Sequence, residues 1–350
     1  MAGHTGWADA WRSRTVPHDA DDPAARETFV GWMDRRQVAV YLVALAVGAL
    51  VGLAAPGLGP SLEDAVNPVL GALLYVTFLQ VPAAELVGSL RDRRFLTAAL
   101  VVNFVVVPGV VAAMFSFLPG DQAVRLGVLL VLLCPCVDWV IVFTGLAGGS
   151  GRRLLAATPL LLVVQMLALP VFLFVFLGSA LAHVVDIGPF VQAFLFLIVV
   201  PLALAWTTQA WATRRPAGQQ ASDAVSTAMV PLMAAVLVVV VASQLPKLHG
   251  HLGDVAAVVP FYVLFLAVMA FAGRAVARLF RLDVPGGRAV LFTGAARNSL
   301  VVLPLALALP DRFAVAAVVV VTQTLVEVLG MVAYVRLAPK LLPHDEPAAA

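Results

Sequence analysis

The residues able to do chemistry gather at two interruptions in an otherwise apolar chain. Cys134-Pro135-Cys136-Val137-Asp138-Trp139 breaks into the run 126–147 and holds both cysteines of the molecule. Thr293-Gly294-Ala295-Ala296-Arg297-Asn298-Ser299 breaks into the run 287–309, with Pro304 behind it. Thiols suit a soft, thiophilic centre, because soft ions select sulfur over oxygen. A guanidinium suits an anion, or a carboxylate such as Asp138 as its ion-pair partner. A third group lies nearer the C-terminus, where Gln323 and Glu327 are one helical turn apart and face one direction. Gln165 is a polar residue in the apolar run between the first two groups.

The elements that must position these residues are helices crossing a membrane. Hydrophobic residues make up 62% of the chain and charged residues 12%, with a mean hydropathy of +0.99. A soluble domain carries about 25% charge, so the composition fits only an all-α polytopic membrane protein. A formal charge of +2 and the lack of a basic patch interleaved with aromatics leave no basis for a nucleic-acid partner. Ten apolar segments have the length that spans a ~30 Å hydrocarbon core: 37–56, 66–84, 95–118, 123–147, 153–178, 188–209, 225–245, 255–280, 287–309 and 313–338. Residues 1–35 read as a disordered cytoplasmic tail, with Trp7, Trp11 and Arg12 able to touch a membrane surface, and no cleavable leader is expected there. Residues 36–340 read as the ten-span domain and 341–350 as a C-terminal tail.

Basic residues set the expected orientation. Arg12, Arg14, Arg26, Arg35, Arg36, Arg91, Arg93, Arg94, Arg152, Arg153, Arg214, Arg215, Arg274, Arg278, Arg281, Arg288, Arg336 and Lys340 fall on one side of such a layout. The other side has Arg125, Lys247 and Arg312, and Arg297 is inside a span. Both termini are therefore expected in the cytoplasm, with the chain in the inner (plasma) membrane.

Ten spans divide into two fives, and an odd number per half forces the halves to insert upside down relative to each other. Repeat one would be 37–178 and repeat two 188–338. Cys136 maps onto Asn298, and Gln165 onto Glu327, at the same offset of 162 residues. Both the fourth and the ninth span read as broken. Pro135 has no N–H, so the carbonyl of Val131 should lose its helical partner and a second half-helix should start near Cys136. Paired interrupted spans at matching positions point to a transporter binding site, and an ionisable group at membrane depth is by default a functional candidate.

These residues resemble a known family. Thr77-Phe78-Leu79-Gln80-Val81-Pro82, Pro135-Cys136-Val137 followed by Val140-Ile141-Val142-Phe143, Phe292-Thr293-Gly294-Ala295 with Asn298, and Leu325-Val326-Glu327-Val328 are similar to spans two, four, nine and ten of bacterial arsenical-resistance carriers. That family belongs to the bile acid:sodium symporter superfamily. The resemblance implies ten spans, two inverted five-span repeats, and broken helices four and nine that cross. This chain also departs from the pattern. The acidic residue typical of the ninth span falls at Leu300, Arg297 is added, and Asp138 occupies a place usually small and neutral. An asparagine common in the fifth span is missing, although Gln165 remains.

Two functions from different classes stay open on the residues. The resemblance implies export of trivalent metalloid, arsenite or antimonite, by exchange for protons. Cys136 would be the sulfur ligand, Cys134 could join it or merely pack, and Asn298 and Arg297 would complete the substrate site. Asp138, Glu327, Gln165 and Gln323 would serve ion coupling, with Glu327 free to carry a proton. The alternative is sodium-coupled symport of a small organic anion held by Arg297. Asp138 and Arg297 could instead form a structural pair, and Asn103, Gln80 and Gln165 could be interhelical hydrogen-bonding groups. No cofactor, no metal beyond the metalloid and no catalytic triad is expected. The lipid bilayer is the partner, and a homodimer is left open.

Overall fold

A computed structural model describes residues 36–79, 92–137, 139–178, 195–246 and 252–343. The described residues are helical, without a named strand. In chain order the helices are α1 (Gln37–Ala54), α2 (Gly59–Leu79), α3 (Arg93–Phe115), α4 (Gln122–Leu132), α5 (Trp139–Leu146), α6 (Gly151–Leu177), α7 (Val200–Ala212), α8 (Pro216–Ser226), α9 (Met229–Gln244), α10 (Leu252–Leu279), α11 (Val284–Ala295), α12 (Ser299–Leu307) and α13 (Val315–Leu341). Among the described residues, five stretches are long and apolar enough to cross a membrane: Pro56–Leu79, Arg93–Phe115, Leu160–Leu177, Leu252–Leu279 and Val315–Leu341. The pair α8 and α9 makes a sixth, bent by 42°.

Local chemistry explains where several helices begin. Asp92 accepts from the amide of Phe95 at the start of α3, and Asp121 accepts from Ala123 and Val124 at the start of α4. Ser150 caps α6 in the same manner. Proline also leaves a signature inside the helices. Val102–Val106 within α3, and Leu195–Val199 ahead of α7, are wound as π-helix, and each ends two residues before a proline, Pro108 or Pro201. A missing N–H removes one rung of the ladder, and widening the turn accommodates the defect.

The helices pack as two groups. In the first, α9 packs on α1 and α2, and α2 packs on α7. In the second group α10 lies against α11 and α13, and α13 lies against α4 and α12. Small residues permit the closest approaches, as is usual where apolar helices meet. A Cβ on Gly127 of α4 would lie 2.8 Å from the carbonyl oxygen of Ala316 on α13.

Helix is lost at both expected interruptions, although not where the missing proline N–H alone would put the restart. α4 ends at Leu132, and the next helix starts at Trp139, three residues after Cys136. The carbonyl of Val131 accepts from the amide of Cys134 at 3.4 Å instead of standing bare. Cys136 therefore belongs to the unwound stretch and not to a half-helix N-terminus. The second interruption separates α11 from α12 at residues 296–298.

Candidate functional site

The two unwound stretches meet and pair. The amide of Asn298 donates to the carbonyl of Cys134 at 2.8 Å, and the amide of Cys136 donates to the carbonyl of Ala296 at 3.1 Å. Pro135 and Arg297 face each other in an isolated antiparallel bridge. Breaking a helix in an apolar interior exposes amides and carbonyls that must find partners, and each break supplies them for the other. Pro135 occupies the position of the bridge at which no N–H is required.

Successive residues of an extended segment point to opposite sides, so the bridge has two faces. Cys134 and Cys136 share one face with Ala296 and Asn298. Pro135 and Arg297 share the other.

On its face Arg297, fully buried, is surrounded by oxygen. One terminal nitrogen donates to Asn103 Oδ1 at 2.7 Å, to the Thr293 carbonyl at 2.5 Å and to the Gly294 carbonyl at 2.9 Å; the other donates to the Leu132 carbonyl at 3.3 Å. Its guanidinium also lies 5.7 Å from the centre of the Phe265 ring. Thr293 and Gly294 are in the last turn of α11, and Leu132 is the last residue of α4. The carbonyls left over at a helix C-terminus carry the negative end of its dipole. Arg297 thus closes the C-terminal ends of both half-helices. Asn103 reaches it from the π-wound part of α3 and also donates to Thr293 Oγ1 at 3.2 Å.

The carboxylate of Glu327 has the complementary position. It accepts from the Arg297 amide at 2.7 Å, from the Trp139 indole N–H at 2.9 Å, and from the Gln323 side chain. Trp139 opens α5, and Arg297 lies just before α12. The acid therefore stands where the two second half-helices begin, and the base where the two first half-helices end. Glu327, read from the sequence as a proton carrier or a structural hydrogen-bonding group, has three donors on its carboxylate among the described residues.

The sequence-derived site residues separate accordingly. Cys134, Cys136, Arg297, Asn298, Gln323 and Glu327 converge on the crossing, and Asn103 and Trp139 join them. Neither Cys134 nor Cys136 is in a disulfide. Asp138 lies outside the described residues, as does Gln80, so the expected pairing of Asp138 with Arg297 has no geometry to report. Asn298 also plays a part that its place in the sequence did not announce. Its Oδ1 caps α12 by accepting from Val301 N at 3.1 Å. Gln165 is buried at the middle of α6, with neither amide atom hydrogen bonded among the described residues. Asn298 Nδ2, Ser299 Oγ and Gln323 Oε1 also lack partners among the described residues. An unsatisfied buried polar group costs about 1–3 kcal/mol, so the crossing carries hydrogen-bonding capacity that its described residues leave unused.

No curated protein matches the chain in sequence. The model of the Sodium Bile acid symporter family matches residues 67–251, a stretch that includes the first interruption.

Proposed function

The chain belongs to the Sodium Bile acid symporter family, and from that premise we propose that it exports trivalent arsenic or antimony hydroxides from the cell in exchange for protons. The coarser statement is direct: it is a multi-pass membrane carrier. The finer reading has ten spans in two inverted five-helix repeats, residues 36–340 as the transporter domain, and both termini in the cytoplasm of a cell whose inner membrane holds it.

The observation that carries the metalloid reading is the placing of both thiols on one face of the helix crossing. Arsenite and antimonite are neutral hydroxides at neutral pH, so their recognition needs sulfur and groups that bind hydroxyls, not a fixed charge. Cys136 supplies the sulfur and Asn298 Nδ2 a donor. The Arg297 cation is within electrostatic reach of both thiols, although its hydrogen bonds go to the protein's own oxygens. Glu327 links the two breaks to each other and is the acid through which a proton could act on them.

Sodium-coupled symport of an organic anion is the second reading. It is favoured by the buried oxygens of Gln165, Ser299 and Gln323, since hard cations take oxygen ligands. Four donations from the Arg297 terminal nitrogens to fixed oxygens argue against that side chain as the anion's anchor.

Transport by inside-out vesicles tests the choice. With an acidic interior and no sodium, the vesicles are expected to accumulate arsenite or antimonite. Accumulation that follows a sodium gradient, with an organic anion moving in the same direction, would transfer the assignment to the second reading.

A further inference from the structure

Among the described residues no three His, Cys, Asp or Glu side chains converge as a metal site, so a soft centre held at the crossing has sulfur ligands from Cys134 and Cys136 alone. Both are buried, at 0% and 3% exposure. They are two positions apart in an extended segment, where side chains on the same face stand about 6–7 Å apart at their roots. Two thiols that lean toward each other from such roots can reach one bridging atom. Pro135 fixes the φ angle between them, and the bonds from Cys134 O to Asn298 N and from Cys136 N to Ala296 O hold the peptide at both ends. The face is completed by Asn298, 2% exposed, whose Nδ2 has no hydrogen-bond partner among the described residues.

We propose that Cys134 and Cys136 bind one trivalent arsenic or antimony atom together as a two-sulfur chelate, with Asn298 Nδ2 donating to the third substituent when that is a hydroxyl. This rests on the metalloid reading above and narrows its substrate class. The step is ligand exchange without a change of oxidation state. Two As–O bonds and two S–H bonds break, two As–S bonds form, and each thiol proton leaves with a displaced hydroxyl as water. Release is the reverse hydrolysis. The substrates are accordingly species with at least two exchangeable oxygens, namely the inorganic trihydroxides and mono-organyl arsenicals. Diorganyl arsenicals, with one exchangeable position, are excluded from chelation.

The test uses the full-length carrier in nanodiscs and counts thiols. The chain has two cysteines, so a thiol titration in denaturant after removal of excess reagent reads both. Arsenite and phenylarsine oxide are each expected to remove both thiols at one arsenic per protein. Cys134→Ser, and Cys134→Ala as a second variant that keeps a small side chain, should each weaken phenylarsine oxide binding by about 100-fold, the loss of a tethered second ligand. A diphenylarsenic(III) reagent should bind wild type and these variants alike. Phenylarsine oxide binding to both Cys134 variants at wild-type strength would overturn the chelate and leave a one-thiol metalloid carrier standing. Failure of both arsenite and phenylarsine oxide to bind the wild-type chain would overturn the chelate together with the metalloid reading.

Discussion

Trp139 and Glu327, 188 residues apart in sequence, share a buried hydrogen bond of 2.9 Å from indole N–H to Oε1. The other carboxylate oxygen holds the Arg297 amide. One acid therefore binds a residue from each interruption, and a proton added to it would take the charge from both hydrogen bonds and convert one of the two acceptor oxygens to a hydroxyl. This gives proton coupling a physical route: the crossing would be held tightly when Glu327 is ionised and loosened when it is neutral.

Glu327→Gln should separate binding from coupling. Its amide nitrogen would have to face a donor, from either the Arg297 backbone or Trp139, at a cost of about 1–3 kcal/mol. Metalloid binding is expected to survive and gradient-driven accumulation in vesicles to disappear. Accumulation at the wild-type rate would remove Glu327 from the coupling mechanism.

Trp139→Phe keeps an aromatic side chain, one ring smaller, and deletes the donor. A bond to a charged group contributes about 1.5–3 kcal/mol, and the thermal midpoint should fall accordingly. The pH dependence of transport should shift as well, because one partner of the Glu327 carboxylate is gone. A shifted midpoint with an unmoved pH profile would restrict Trp139 to a structural role.

Arg297 and Asn103 should couple in a double-mutant cycle on stability. Residues in one hydrogen-bond network show interaction energies of about 0.5–3 kcal/mol. Arg297→Met alone should be severe, since it bares the terminal carbonyls of α4 and α11 together. Additivity of Arg297→Met and Asn103→Leu in unfolding measurements would show that the two side chains act separately.

Cys136→Ser should abolish arsenite and antimonite resistance in an efflux-deficient host with normal expression of the carrier. Full resistance would end the metalloid assignment.

Gly127→Val offers a check on the packing. Its Cβ would meet Ala316 O at 2.8 Å, and overpacking of this kind costs about 1–3 kcal/mol. Expression and thermal midpoint should both drop. An unchanged midpoint would mean that α4 and α13 can move apart at that level.

Much of the site was legible as interruption. A proline, two thiols and a carboxylate in one apolar run, and a polar-dotted interval in another, are local signals, and helix is absent at both. The spacing of Gln323 and Glu327 was equally legible, because helical neighbours four apart must meet. What escaped was the long-range pairing. Nothing near Cys134 in sequence announces that its carbonyl will receive the Asn298 amide. Arg297 was visible as a charge in an apolar span, but its partners are backbone carbonyls, which every residue possesses and no composition reveals. Asn103 looked like ordinary interhelical glue; its reach depends on the π-wound turn ahead of Pro108. The restart at Trp139, and not near Cys136, follows from residues 134–136 being held in the bridge to the other break.

At the opposite end of α11, the buried Arg288 donates to the carbonyl of Ala147, which follows α5, and through two nitrogens to the carbonyl of Leu342, just beyond α13. Two of these bonds thus go to a residue that the ribosome adds 54 positions later. A polypeptide still emerging can insert α11 but cannot yet satisfy this cation with Leu342. The maturation of the helix that leads into the crossing therefore has a timing built into it. A stop codon just ahead of Leu342 would leave every crossing residue encoded, yet take from Arg288 of α11 the carbonyl that two of its nitrogens hold.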